Sequence, residues 1–167
     1  LRVLAQQLGR EPRAVRGIEK KCLAGHPLVI RVYPLVDEGP FPTLFWLTCP
    51  RVVGQISKIE HEGFIQHLES LLSKNEPMRE AFHANHQEYI KERRNELSER
   101  DRAWIKEHDY GDLFLKNGIG GIRNWNTIKC LHLHYAHHLA RQNVIGEWVD
   151  QNFLIEFCQT HSSSDSE

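Results

Sequence analysis

The chain has no run of about 18 consecutive apolar residues, so no membrane-spanning helix is expected. It also lacks the charged, then apolar, then small-residue pattern of a secretion signal at its start. Because the chain begins at Leu1, a segment trimmed ahead of that residue is compatible with the sequence. Basic charge is not in excess: 21 Lys and Arg stand against 22 Asp and Glu. That balance argues against a broad nucleic-acid surface, although Arg10, Arg13 and Arg16, or Arg93, Arg94 and Arg100, form local basic groups. Cysteine is scarce, with Cys22, Cys49, Cys130 and Cys158 far apart and in no C-x-x-C pair. Without a secretion signal such thiols are expected to be free or metal-bound rather than disulfide-linked, in a cytoplasmic protein. No internal repeat is present. The glycine cluster "NGIGGI" lacks the Lys-Ser/Thr of a phosphate-binding loop, so a tight turn is favoured over a cradle assisted by Arg123 or Lys129.

What is present is ordinary for one globular domain: 167 residues, 40% apolar and 26% charged. A short helix is expected up to Leu8 with Gly9 stopping it, then a polar segment with a second helix within residues 10–22. The β-branched run at residues 27–36 and the aromatic run at residues 43–49 predict two strands joined as a hairpin. Pro50 predicts a helix start, Gly63 a break, and Pro77 the opening of a long charged helix to about His108. His86, Tyr89 and Arg93 share one face of it, where they could approach an anionic substrate; a solvated face is the commoner outcome. "GDLFLKNGIGGIRNWN" reads as loop, and Thr127 as the cap of a helix ending near Arg141. The expected class is α+β, a small hairpin or sheet covered by several helices. Residues 1–158 form a single domain and 159–167 a disordered tail.

The densest chemistry lies in "KCLHLHYAHHLA", Lys129 to Ala140. On a helical wheel with Cys130 at zero, His137 falls at about −20°, His134 at about 40° and His138 at about 80°. His132 lies at about 200°, on the other side. The remaining residues are apolar almost all round, the mark of a buried helix, and buried imidazoles need partners. One solution gathers Cys130 and one or two histidines with Cys22 and Cys49 around a metal. The other leaves the imidazoles with ordinary hydrogen bonds and the thiols as small core residues. A His134–His138 pair lacks the glutamate that a two-histidine zinc hydrolase requires. Cys49, ahead of a helix N-terminus, is also a candidate nucleophile with a histidine of this helix as its base.

The blocks "QLGREPRAV", "CLAGHPLVI", "GPFPTLFWLTCP", "ISKIEHEG", "GIGGI" and "KCLHLHYAHHLA" followed by "NVIG" occur in one order over residues 6–146. Together they resemble an uncharacterised, mainly bacterial family, the domain of unknown function numbered five hundred and one. The chain departs at "NVIG", where that family more commonly has proline after the asparagine. Cys22, Cys49, Cys130, His132, His134 and His137 fall within the matching blocks; Cys158 lies outside them, and His138 stands at a variable place. The expected centre is therefore Cys22, Cys49, Cys130 and His137 holding zinc or an iron–sulfur cluster. Cys49 and His134 are the catalytic pair of a thiol-based or metal site acting on a small-molecule substrate. His132 is expected to hold a supporting hydrogen bond elsewhere. The family's gene neighbours, septum-formation initiator and exopolyphosphatase-like genes, imply the alternative of a non-catalytic interaction protein of cell division or polyphosphate metabolism. Neither reading calls for a membrane, and oligomeric state is open.

Overall fold

The computed structural model describes residues 2–36 and 39–158. The chain runs α1 (Arg2–Leu8), β1 (Val15–Lys21), β2 (Pro27–Val32), β3 (Leu35–Val36), β4 (Gly39–Pro40) and β5 (Phe45–Leu47). The helices α2 (Pro50–His61), α3 (Phe64–Lys74), α4 (Glu76–Glu96) and α5 (Glu99–Glu107) follow. Then come α6 (Gly111–Leu115), a 3₁₀ turn at Ile119–Gly121, α7 (Leu131–Ala140) and α8 (Val144–Asn152). The class is the expected α+β. The proposed tail, 159–167, lies outside the described residues.

The central strand β2 pairs antiparallel with β1 on one side and β5 on the other, with Val29 opposite Leu47 and Ile30 opposite Trp46. Both sheet faces are covered. Ile30, Val32 and Trp46 pack with Leu4 of α1, while Val29, Phe45 and Leu47 join the main core with Leu131, Tyr135 and Ala136 of α7. Full burial of each such side chain is worth about 1.5–3 kcal/mol, and β2 is accordingly apolar on both faces except at Arg31. The second helix expected within residues 10–22 is instead the edge strand β1. Arg16, Ile18 and Lys20 are exposed and Val15, Gly17 and Glu19 half-buried, a period of two that the abundance of charge conceals.

Pro50 opens α2 as expected, and Gly63, at φ +88°, separates α2 from α3. The long charged helix is two helices. Leu97 turns into a small core with Ile105 and Phe114, and the Ser98 hydroxyl accepts from Asp101 N to start α5. No helix of the described residues is long and apolar enough to cross a membrane.

The solvated face expected along α4 is the opposite of what is found. Phe82, Asn85, His86, Tyr89 and Arg93 form a buried stripe. Arg93 is fully buried, and its guanidinium donates only to backbone carbonyls: Phe114 O (2.9 and 3.2 Å), Pro42 O (3.1 Å), Gly118 O (3.3 Å) and Asn117 O. Burial lowers its pKa to about 10, which leaves it charged at neutral pH. The glycine cluster is part of this packing. A Cβ on Gly118 would stand 2.3 Å from His86 Nδ1, and Ile119 N donates to that same nitrogen at 3.0 Å. The backbone that might have cradled a phosphate is thus already used.

Lysine keeps the charge but cannot reproduce the fork of donors. Arg93→Lys is expected to lower unfolding free energy by about 2–4 kcal/mol, because buried carbonyls lose their partners. Urea denaturation measures this; a loss under about 0.5 kcal/mol would show that those carbonyls are satisfied without the guanidinium.

Candidate metal centre

The β1–β2 connection is a tight turn. Cys22 N donates to His26 O and Gly25 N to Cys22 O, both at 2.9 Å, with Gly25 at φ +78°. This brings the two side chains of a Cys-x-x-x-His segment to one end of the sheet. The C-terminal segment reaches the same place. Gln55 of α2 clamps Glu156 by both backbone groups, donating to its carbonyl and accepting from its N–H at 2.9 Å each, and Arg51 pairs with the Glu156 carboxylate. Cys158 follows two residues later, and one donor atom from each of Cys22, His26 and Cys158 lies within 4.8 Å of the others. Cys49, buried at the N-cap of α2, lies near enough to Cys158 to influence its thiol. Burial first, then Cys49 and Cys22, push the Cys158 thiol above its ordinary pKa. A cation bound among these sulfurs would displace their protons, since the thiolate is the metal ligand.

A second group forms where the end of α2 meets the start of α7. Glu60 in the last turn of α2, Cys130 and His132 also place donor atoms within 4.8 Å of one another. The Glu60 carboxylate accepts from Leu131 N, the first residue of α7, and lies 3.1 Å from His132 Nδ1. Burial is the largest influence on Cys130 and raises its pKa.

The expected centre of Cys22, Cys49, Cys130 and His137 is therefore not brought together. Helix α7 begins at Leu131, and Cys130 is its extended N-cap at φ −161°. Its side chain does not follow the wheel that placed it beside His137, and it meets His132, which the wheel had put opposite. His137 stacks on Phe45, with ring centroids 5.8 Å apart. The His134 ring packs on Phe82 and His86, and the thiols that influence one another are Cys49, Cys158 and Cys22. His26, Cys158 and Glu60 were missed. "CLAGH" carried a legible signal for the first, a cysteine and histidine around a glycine turn; nothing local marked the other two.

The comparison with family models decides the relationship: residues 18–151 match the model described as Protein of unknown function (DUF501). The chain belongs to the DUF501 family. No curated protein and no solved structure matches it. Of the residues gathered here, Cys158 alone lies beyond the part that aligns with DUF501.

His86, His134 and His137 of this DUF501 chain are buried together, two of them fixed by one helix cap. Asn143 Oδ1 accepts from Ile145 N (2.9 Å) and Gly146 N (3.3 Å) at the start of α8, which fixes its amide. Its Nδ2 must then donate to His134 Nδ1 and His137 Nδ1, each at 3.2 Å, so both rings carry their proton on Nε2. Ile119 N imposes the same tautomer on His86. All three rings are held neutral. Burial, then His83, His137 and Arg93, lowers His86 to about 3. Burial, then Arg141 and His138, lowers His137 to about 4. His134, beside His86 and His137, is also held well below its ordinary value, chiefly by burial.

An unfolded histidine titrates near pH 6.5, so below that pH the unfolded chain takes up protons that folded His86 and His137 refuse. Stability is expected to be complete above about pH 6.5 and to fall steadily as pH drops toward 4, read as the urea midpoint. His86→Asn keeps an acceptor near the Nδ1 position and should flatten the slope, even though the variant starts less stable. A midpoint unchanged between pH 7 and 5 would refute neutral burial.

Proposed function

We propose that this DUF501 protein is a zinc-binding protein in which Cys22, His26, Cys49 and Cys158 tie the C-terminal segment to the end of the sheet. The observation that carries the reading is the convergence of Cys22, His26 and Cys158, from the β1–β2 turn and the C-terminal segment, within 4.8 Å. Three thiolates and one imidazole are a donor set that zinc favours, and a set of four protein ligands is closed and structural rather than catalytic. Cys49 stands outside the mutual set, so closing a tetrahedron requires it to draw in toward Cys22 and His26. The centre borders a cleft of about 900 Å³ flanked by Leu23 (77% exposed) and Leu154 (88% exposed), and exposed leucines beside a structural ion suit a scaffold better than a catalyst.

Protein purified under reducing conditions is expected to hold zinc that is lost in Cys22→Ser and Cys158→Ser. Free zinc at 100 times Kd would add about 2.7 kcal/mol of stability, so chelation should lower Tm by about 5–11 °C in a chain of this size. Thermal melts with and without chelator, beside elemental analysis, read both. A zinc-free chain whose melting ignores zinc and chelator rejects the reading, and iron with inorganic sulfide in place of zinc assigns a cluster instead.

A further inference from the structure

We infer that Glu60, Cys130 and His132 form a second, open divalent-metal site at the junction of α2 and α7. It is independent of the first centre, since it shares no residue with it. The argument starts from His132 Nε2, which lies 3.3 Å from the carbonyl oxygen of Val53 and 3.0 Å from Ser57 Oγ. When Nε2 donates to the Val53 carbonyl, which can only accept, Nδ1 of the neutral ring presents a lone pair. That lone pair faces Glu60 Oε1 at 3.1 Å. A hydrogen on Nδ1 would instead leave Nε2 to accept from Ser57 Oγ. In the first tautomer two acceptors face each other this closely and need a cation between them, a proton on the ring or a metal.

The surroundings favour the metal. Cys130 supplies a third donor atom within 4.8 Å of the other two, and a salt bridge between His132 and Glu60 has no use for a thiol there. Two donors each about 2.1 Å from a tetrahedral ion sit about 3.4 Å apart, close to the Glu60–His132 separation. A metal-bound histidine characteristically donates its far N–H to a carbonyl or similar acceptor, as His132 does toward Val53. The oxygen, nitrogen and sulfur donors suit zinc or cobalt, and three protein ligands leave a fourth position for water. The site is also accessible: the His132 and Glu60 side chains are 25% and 21% exposed.

Cobalt(II) is the probe, added to the metal-free, reduced full chain, because its charge-transfer absorption scales with the number of thiolates bound. Wild type is expected to take up two equivalents. The Cys22→Ser, Cys158→Ser double variant should keep one, with a single-thiolate spectrum. His132→Ala and Glu60→Gln should each weaken that remaining equivalent by at least about 100-fold. Glu60→Gln retains an oxygen to accept from Leu131 N, so its metal-free melting temperature reports that the helix start is intact. Uptake of one equivalent only, abolished by the double variant and untouched by Glu60→Gln and His132→Ala, overturns the second site and leaves the first. One equivalent that survives the double variant and is lost in His132→Ala supports the second site while removing the first. A chain that binds no cobalt overturns both.

Discussion

The structure depends on burying a guanidinium without a carboxylate. Arg93 sits in the middle of the molecule, and its partners are carbonyls released by the end of α6, the glycine turn and the Pro42 loop. Carbonyls past a helix C-terminus carry the partial negative charge that makes this tolerable. Because the fork of donors fixes all three segments against α4, it also fixes Gly118 and Ile119 against His86, and through them the approach of α7. The placement of the donor groups at the start of α7 follows from that packing.

Side-chain caps do the rest of the positioning. Asn143 caps α8 and, with its remaining hydrogens, fixes the tautomers of two histidines on α7. Glu60 takes the first N–H of α7 and Glu69 that of Ile128, so the segment entering α7 is anchored to α2 and α3. Gln55 does the same for the C-terminal segment by pairing with both backbone groups of Glu156. In each case a backbone group that needs a partner is met by a side chain from a distant element. Cys130 and Cys158 lie one and two residues from such anchors.

The two donor groups differ in chemistry and in exposure. One is rich in sulfur, built on a turn and a helix N-cap, and beside a cleft with exposed leucines. The other is mixed in donor type, half-open, and braced by Ser57 and the Val53 carbonyl. A closed thiolate set resists exchange and holds structure, whereas a three-donor set admits solvent to the ion. The neutral histidines between α4 and α7 belong to neither group and act through hydrogen bonds and ring packing.

The sequence by itself determined the α+β class, the two buried strands, the start of α2 at Pro50 and its separation from α3 at Gly63. These follow from propensity, proline and glycine, which act within a few residues. It also showed one cysteine and four histidines crowded into Lys129–Ala140. Only the tertiary structure decided which of them meet. The helical wheel failed at Cys130 because that residue is an extended cap, and an N-cap has no helical direction to read. The stripe of His86, Tyr89 and Arg93 looked solvated because charge usually faces water. It is buried because carbonyls from three other segments and the Leu44 N–H arrive to satisfy it. Periodicity gives the faces of one element, while the partners that make a polar face buriable come from elsewhere in the chain.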